Sequence, residues 1–481
     1  MTDEVRSSHA ADLARALDAV STPPTITTPL GEFTLFDGVP VGDSVGRLYD
    51  GLDFMRGVEV FLNAMPGASL VAMRSGLRSV GITAPHQLAY TDPRASSSSY
   101  FLTPNTATTY GTMFLDLRAS GPIVIEPPKQ SLCVVDDFWF RYVADMGIAG
   151  PDRGEGGRYL FLPPGYDGDV PEGYFVSRTP TYTNWVVFRA LGGVPALKET
   201  KVYALSDAAD PPEMEYVNIA GLAFNTVHAN DVTFYEEIDE LVQEEPVAAL
   251  DAERAGQLAA VGIVHGKPFA PDDRLRSILD DAAKTGAAIS RALVYAPRDP
   301  DAYLYEGSSW LSAFTGGSYE FLRDGARLLD SRTQFHYFAT VITPAMAHAQ
   351  VGAGSAYAYV ARDAEGEVLD GGSTYTLTLP ADPPAKNFWS IDVYDTQTRS
   401  LLQTDDPYPS VMSLTGDVAA NTDGSITVWF GPTAPEGREA NWIQTVPGKS
   451  WFPILRLYGP LEPWFEKTWR PGELERQPGP R

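Results

Sequence analysis

The stretch FWFRYVAD (Phe138–Asp145) has the pattern Phe-Trp-x-x-x-Val-x-Asp, which returns 250 positions later as FWSIDVYD (Phe388–Asp395). Each copy follows a tyrosine, Tyr110 or Tyr357, that has an aspartate six positions further on. A Pro-Pro pair then stands between this tyrosine and the motif in both places. The repeated order of these features predicts two domains related by duplication.

Length, composition and charge limit the class of protein. A chain of 481 residues can form two or three domains that each bury a core. It is rich in aromatic residues, glycine and proline, which is typical of strands joined by tight turns. The net charge of −26 argues against nucleic acid and anionic membranes as partners. Cys133 is the only cysteine, so neither an internal disulfide nor a cysteine-rich metal site can form.

Patterning along the chain predicts four regions. Residues 1–99 form an N-terminal extension with packing helices, and residues 100–192 a first β domain. Residues 193–342 form an acidic helical connection, and residues 343–481 a second β domain with an aromatic, proline-rich tail. The predicted fold class is mainly β with helical segments (α+β), with two jelly-roll-like antiparallel β domains.

Apolar residues at helical spacing predict individual helices. The first covers Leu52–Met65. Four more are predicted in the connecting region, at residues 232–244, 247–261, 273–295 and 326–341. The N-terminus lacks the pattern of a signal peptide and no segment is apolar enough to span a bilayer, so we expect a cytoplasmic protein.

Arg141 is the first candidate for a functional residue. In an extended strand Trp139, Arg141 and Asp145 share one face. The second motif has Ile391 where the first has Arg141, so the first copy places a cation on an otherwise matching surface. Arg141 could bind an oxyanion in a pocket, because its guanidinium donates two parallel hydrogen bonds. It could equally form a structural pair with a carboxylate such as Asp145.

A second candidate is the loop FNTVHANDVTFYEE, which leads into the helix predicted at residue 232. His228 in this loop could act as a general acid or base near neutral pH. Asp231 and the free N–H groups of the helix start could contribute to a binding site. The alternative is that Asn230 or Asp231 caps the helix, as such residues commonly do.

Further polar and aromatic residues could line a pocket. Asn105 and Tyr110 in LTPNTATTY offer hydrogen-bonding groups beside a strand. Trp185, Trp310 and Tyr319 could add an apolar wall, although aromatic residues in such surroundings also form ordinary cores.

Motifs for cofactors and metals are absent from the sequence. It has no His-Glu-x-x-His, no phosphate-binding glycine loop, no dinucleotide fingerprint and no Gly-x-Ser-x-Gly. We therefore predict no cofactor and no metal.

Two groups of stretches resemble a bacterial family. TPNTATTYGTMFLDLRASGPIVIEPP, DDFWFRYVAD and GRYLFLPPGY resemble the domain of unknown function numbered twelve-fifty-four. GGSTYTLTLP, NFWSIDVYD, SITVWFGP and ILRLYGPLEPW resemble its usual partner, numbered twelve-fourteen. The resemblance implies a two-domain, jelly-roll-like, oligomeric β protein with helical connections. This chain has Ala107 where many relatives carry aspartate.

Two functions follow as hypotheses. The first is a cofactor-independent hydrolase or lyase for a small organic, possibly carboxylate-bearing, substrate. In it Arg141 would hold an oxyanion, and Asp145, Tyr110 or His228 would transfer protons. The alternative is a non-catalytic binding protein for a sugar, lipid or aromatic acid. In either case the expected partners are a small molecule and further copies of the chain.

Overall fold

The computed structural model describes residues 3–478, with side chains from residue 11 onward. The fold is α+β, and this part of the chain contains ten α-helices. In chain order the helices are α1 (Asp3–Val20), α2 (Ser44–Ser79), α3 (Leu117–Ser120), α4 (Gly193–Leu197), α5 (Thr233–Glu244), α6 (Ala252–Ala260), α7 (Asp273–Tyr295), α8 (Leu329–Phe338), α9 (Pro344–Ala347) and α10 (Glu462–Phe465).

The strands fall into two groups, one in each half of the chain. The first group is β1 (Thr25–Thr28), β2 (Gly31–Phe36), β3 (Val39–Pro40), β4 (Gln87–Tyr90), β5 (Tyr110–Asp116), β6 (Ile123–Glu126), β7 (Ser131–Asp137), β8 (Tyr142–Gly147), β9 (Tyr159–Leu162), β10 (Phe175–Arg178), β11 (Thr183–Ala190), β12 (Lys201–Ala204) and β13 (Glu215–Asn218). The second group is β14 (Trp310–Leu311), β15 (Leu322–Arg323), β16 (Ala326–Arg327), β17 (Ser355–Val360), β18 (Tyr375–Leu379), β19 (Ala385–Asp395), β20 (Ser410–Met412), β21 (Ile426–Gly431), β22 (Trp442–Gln444), β23 (Trp451–Pro460) and β24 (Glu475–Arg476).

Four larger sheets contain most of these strands. The first half has a six-stranded sheet in the order β13-β4-β5-β11-β7-β8 and a four-stranded sheet in the order β10-β9-β6-β12. The second half has a five-stranded sheet, β14-β17-β23-β19-β20, and a four-stranded sheet, β22-β21-β18-β24. Most neighbours are antiparallel, but β13 with β4, β10 with β9 and β22 with β21 are parallel. Within the described residues no sheet closes into a barrel.

The two halves share one order of strands. In the first half β5-β11-β7 is the centre of the six-stranded sheet, and β17-β23-β19 holds the corresponding place in the second half. The two four-stranded sheets also agree strand by strand, including the parallel pair at one end.

Each half packs its two sheets on a core of its own. Val186 and Phe188 of β11 lie in the core of the first half, and Leu455 and Leu457 of β23 in that of the second. Because side chains alternate along a strand, the residues between them point to the opposite face of each larger sheet.

The first copy of the Phe-Trp motif does not form one strand, so the prediction of a continuous extended segment there is wrong. Strand β7 ends at Asp137 and β8 begins at Tyr142, with Phe140 in a left-handed turn at φ 59°. The carboxylate of Asp137 stabilises this turn, because it accepts hydrogen bonds from the backbone N–H groups of Trp139 and Arg141 at 2.9 Å. The second copy lies inside β19. Residues 139, 141 and 145 therefore do not share a strand face.

Helices α2, α5, α6, α7 and α8 share a hydrophobic core that also contains residues of both groups of strands. Helix α7 has the predicted bounds, whereas α2 is much longer than Leu52–Met65 and continues through Pro66. Gly57 allows α2 to approach α7 closely, because a Cβ there would lie 2.7 Å from that of Ala282. The predicted helix at 247–261 begins only at Ala252, after a short 3₁₀ turn. No helix of the described residues has the length and apolarity needed to cross a membrane.

Candidate functional site

A cavity of about 230 Å³ is lined by both halves of the molecule. Strands of the six-stranded sheet and of the five-stranded sheet contribute to its lining, as do segments at residues 91–105, 219–224 and 313–346, together with Ala149 and Gly354. The residues from strands that matter below are Tyr110, Thr112, Asp145, Trp185, Val187, Arg189, Ser355, Tyr357, Tyr359, Ile454 and Arg456.

Each half supplies one arginine and one tyrosine that lie opposite each other on neighbouring strands. In the first half Arg189 of β11 pairs with Tyr110 of β5. In the second half Arg456 of β23 pairs with Tyr357 of β17. These strands occupy corresponding places in the two sheets. The cavity is therefore lined by the same pair of residue types from each half.

Arg456 has its charge neutralised by neighbouring residues. Its Nη1 lies 2.9 Å from Oδ2 of Asp392 and 2.6 Å from the hydroxyl of Tyr394. Its Nη2 donates to the backbone carbonyl of Thr103 at 2.9 Å, which ties the second half to a loop of the first. Arg456 and Asp392 are both buried. This arginine is part of a structural network at the junction of the halves.

Arg189 has no such partner. It is partly buried, and among the described residues it forms no ion pair with a carboxylate. Its Nη1 reaches only the hydroxyl of Ser355, at 3.5 Å, and its guanidinium lies over the ring of Tyr458, 5.1 Å from the centroid. Its Nε is buried and has no hydrogen-bond partner, as is also true of the hydroxyl of Tyr458. A guanidinium in this state can bind an oxyanion through two parallel hydrogen bonds.

Asn105 positions Tyr110 at the edge of the cavity. Its Nδ2 donates to the hydroxyl of Tyr110 at 2.8 Å. Its Oδ1 accepts from the backbone N–H groups of Ala107 and Thr108, both at 2.9 Å, which fixes the amide orientation. The side chain of Thr106 in the same loop donates to Asp392 in the other half at 2.9 Å.

Asp145 is the acidic side chain of the cavity wall. It is 9 % exposed, and the hydroxyl of Thr343 lies 2.7 and 2.8 Å from its two oxygens. Burial raises the pKa of this carboxyl to about 6. Val341, two residues before Thr343, has a φ of 72°. This is a left-handed conformation that β-branched residues rarely adopt. Asp145 can exchange a proton near neutral pH.

The structure brings four of the sequence-predicted residues together at this cavity: Asn105, Tyr110, Asp145 and Trp185. The indole N–H of Trp185 donates to the hydroxyl of Thr112 at 2.7 Å, so its ring is held in place as part of the wall.

Arg141 and Trp139 lie outside the cavity. Arg141 is bound to Asp137, with its Nε 2.7 Å from Oδ2, and its Nη1 donates to the carbonyl of Ala249 at 2.8 Å. Arg141 therefore forms a structural ion pair, which was the alternative to oxyanion binding, and its partner is Asp137 rather than Asp145. Trp139 is buried in the helical core, where a Cβ on Gly67 would lie 3.0 Å from its ring.

His228 and Asp231 also lie away from the cavity. The imidazole of His228 is buried among aromatic rings, including those of Phe61 and Phe234, and burial lowers its pKa to about 3. Asp231 is exposed and accepts the backbone N–H of Thr233 at 2.9 Å at the start of α5. The histidine is therefore neutral at physiological pH. The aspartate accepts the first N–H of α5 from outside the helix, whose N-cap position is held by Val232.

Trp310 and Tyr319 complete the predicted set. The indole N–H of Trp310 donates to the carbonyl of Gly472 at 2.8 Å, and its ring belongs to the core of the second half. Tyr319 packs edge to face on Tyr142, with ring centroids 5.4 Å apart. Neither lines the cavity.

Sequence reasoning missed Arg189, Arg456 and Tyr357. A signal was present, because each arginine stands in an otherwise apolar strand, in TNWVVFRA and in WFPILRLYGP. A cation inside such a strand needs a partner or a function. In residues 3–478 no group of three or more histidine, cysteine or acidic side chains is placed to hold a metal ion.

Family models match the two halves of the chain in this order. Residues 85–210 match the model described as "Protein of unknown function (DUF1254)", and residues 354–462 match "Protein of unknown function (DUF1214)". These two matches support a two-domain family of unknown function. The DUF1254 match contains the pair Tyr110 and Arg189, and the DUF1214 match contains Tyr357 and Arg456. Both matched segments of this chain therefore contribute to the cavity. No curated protein matches the chain.

Two solved structures that match this chain have low sequence identity to it. The VPA0106 protein from Vibrio parahaemolyticus has a TM-score of 0.52 at 17 % identity, over 89 % of this chain and 100 % of that one. An uncharacterised protein from Burkholderia cenocepacia has a TM-score of 0.41 at 13 % identity, over 90 % and 97 % of the two chains. The similarity to the VPA0106 protein is one of fold alone, and it runs through both matched segments of this chain.

Proposed function

We propose that the cavity binds a small, mainly apolar molecule through an anionic group, and that this group is a carboxylate held by Arg189. The observation that carries the proposal is the Nε of Arg189, which is buried at the cavity without a hydrogen-bond partner. An unpaired guanidinium out of water is unfavourable, so a ligand that supplies a negative charge offsets this cost. Arginine is suited to the task because its planar fork matches a carboxylate.

The other walls favour an apolar body. Trp185, Val187, Phe338 and Ile454 present hydrocarbon and aromatic surface to the cavity. Its volume of about 230 Å³ lies below the ~300–1,000 Å³ usual for ligand pockets, so the ligand is small. Tyr110 and Tyr357 add hydroxyl groups that can orient a polar end of the molecule.

A second candidate is a hydrolase or lyase that acts on such an acid. Asp145 favours it, because a carboxyl in the cavity wall with a pKa of about 6 can serve as a general acid or base. In this version Arg189 holds the substrate and Asp145 transfers the proton, while Tyr110, fixed by Asn105, orients the reacting group.

We further propose that the two β domains are jelly-roll-like and derive from one duplicated domain. The matching strand orders support this, as does the recurrence of an arginine opposite a tyrosine on corresponding strands. In this account the second copy kept its arginine for structure, and the first copy kept it for binding.

Calorimetry with two matched probes tests the proposal. We expect 3-phenylpropionate to bind the full chain at least tenfold more tightly than 3-phenylpropan-1-ol, which has the same apolar body without the charge. Arg189→Gln should remove this difference. Arg178→Gln, an exposed change on β10 away from the cavity, is the matched control and should preserve it. Equal affinity for acid and alcohol in the natural chain would contradict the proposal.

Catalysis is tested separately with Asp145→Asn. If the protein is a hydrolase, a panel of small arylalkanoic acids that keep a free carboxylate and carry a separate ester group should include one that the natural chain cleaves. The variant should then lose turnover while it still binds the acid. A variant that keeps full turnover would exclude Asp145 as the proton-transfer group.

A further inference from the structure

A cluster of arginines lies on the helical side of the molecule, apart from the cavity. Arg254 of α6 and Arg332 of α8 both donate from Nη2 to the same backbone oxygen, that of Asn63, at 3.2 and 3.3 Å. Arg332 also donates to the side-chain oxygen of Asn63 at 2.6 Å. Two positive charges thus meet at one neutral residue.

The charges of this cluster are only partly offset by acidic side chains, among them Asp251 and Asp137 near Arg254. In the described part of the chain Arg254, Arg327 and Arg332 form no ion pair with a carboxylate, whereas Arg141 nearby is paired with Asp137. Glu59 is the acidic neighbour of Arg332, but its carboxylate accepts the side-chain amide of Asn63. Unpaired cations are notable in a protein with a net charge of −26.

Arg332 shows how unfavourable the arrangement is without a counter-ion. It is 5 % exposed, and its Nε is buried without a hydrogen-bond partner. Burial, together with the charges of Arg254 and Arg327, lowers the pKa of this guanidinium to about 9. Neighbouring cations repel each other most strongly where water is excluded.

We propose that Arg254 and Arg332, which meet at the backbone oxygen of Asn63, form a second ligand site for a small oxyanion of the phosphate type, with Arg327 at its exposed edge. An oxyanion accepts several hydrogen bonds at once, and guanidinium groups match its geometry. The partly exposed Arg254 and the exposed Arg327 give it access from solvent, while Arg332 lies at the base.

This site is independent of the cavity. Phe335 and Phe338 of α8 line the cavity, but none of the three arginines does. The oxyanion site thus lies on another face of the same helix. It would neutralise the repulsion between α6 and α8, so an occupied site stabilises the helical part of the protein.

Titration of the full chain with inorganic phosphate tests the proposal. Calorimetry at constant ionic strength should show saturable binding, with a matching rise in Tm. Arg254→Gln and Arg327→Gln should each weaken the binding at least tenfold, and neither residue is buried enough to make folding depend on it. Arg298→Gln, an exposed arginine paired with Asp330, is the matched control and should bind phosphate as the natural chain does.

Any one of the following results would overturn the proposal. The first is no saturable phosphate binding, and the second is unchanged affinity in Arg254→Gln. The third is loss of binding in Arg189→Gln, which would place the phosphate in the cavity instead. A chloride titration distinguishes the ion, because equal affinity for chloride would contradict the choice of an oxyanion.

Discussion

Arg189 lies directly opposite Tyr110 on neighbouring antiparallel strands, and the second half of the molecule repeats this relationship with Arg456 and Tyr357. The two arginines differ in their partners. Arg456 is neutralised by Asp392, whereas Arg189 contacts a hydroxyl and an aromatic ring. The same position thus has a structural role in one half and is available for a ligand in the other.

The first prediction concerns stability. Arg456→Gln should lower the free energy of unfolding by about 3–5 kcal/mol, because it leaves Asp392 as an unpaired buried charge. Asp392→Asn should have a similar effect, and the double variant should cost clearly less than the sum of the two. Urea unfolding measures all three. Arg189→Gln is the comparison and should change the unfolding free energy by less than about 1 kcal/mol. Additive costs at Arg456 and Asp392 would show that the pair is not coupled.

The second prediction is a pH effect from Asp145. Burial raises its pKa from 3.8 to about 6, so between these values the folded protein keeps a proton that the unfolded chain has lost. The stability from this group is complete below pH 4 and is lost as the pH rises through 6, by about 3 kcal/mol in total. The free energy of unfolding of the natural chain should be lower at pH 7 than at pH 4.5, and this difference should be smaller in Asp145→Asn. If both proteins lose the same amount of stability between the two pH values, the raised pKa of Asp145 is contradicted.

The third prediction links Asp145 to the ligand. Above pH 6 its carboxylate is ionised in the cavity wall and repels an anionic ligand. The affinity for 3-phenylpropionate should therefore be several-fold higher at pH 5.5 than at pH 7.5. The ligand's own carboxyl, with an ordinary pKa of ~4.3, stays ionised at both pH values, so the change comes from Asp145. Calorimetry at the two pH values should show no such change in Asp145→Asn. A natural chain whose affinity does not depend on pH would argue against a ligand close to Asp145.

The fourth prediction concerns His228. Burial lowers its pKa from 6.5 to about 3, so only the unfolded chain takes up a proton between these values. Its contribution to stability is complete above pH 6.5 and is lost as the pH falls, by about 2 kcal/mol at pH 5. His228→Gln should reduce this acid sensitivity in urea unfolding and leave the affinity for 3-phenylpropionate unchanged. A tenfold loss of affinity would restore the histidine as a candidate for the site.

How far the sequence predicts the structure differs from element to element. The bounds of α7 follow from its apolar spacing and from Asp272, whose side chain caps Leu275. The second part of α2 was missed because Pro66 normally ends a helix, and the packing that tolerates it is tertiary. The turn after Asp137 was missed because its cause, a carboxylate that binds two backbone N–H groups, is invisible in an apolar alternation.

The site was predictable only in part. Asn105, Tyr110 and Trp185 were named for their residue types. Asp145 was named for a strand face shared with Arg141, which the structure does not have. Arg189 was not, because its meaning depends on two facts about pairing that single-sequence patterns do not contain. One is that β11 lies beside β5, and the other is that no carboxylate of the described residues reaches this arginine. Arg141 was predicted instead, because its partner Asp137 lies just before the repeated motif and outside the comparison of the two copies.

A crystal structure of the complex with 3-phenylpropionate would locate the ligand relative to Arg189. We expect the ring against Trp185 and the carboxylate oxygens within ~3.2 Å of the guanidinium nitrogens of Arg189, a normal hydrogen-bond distance. A ligand bound elsewhere, or bound in the cavity with its carboxylate turned away from Arg189, would contradict this expectation.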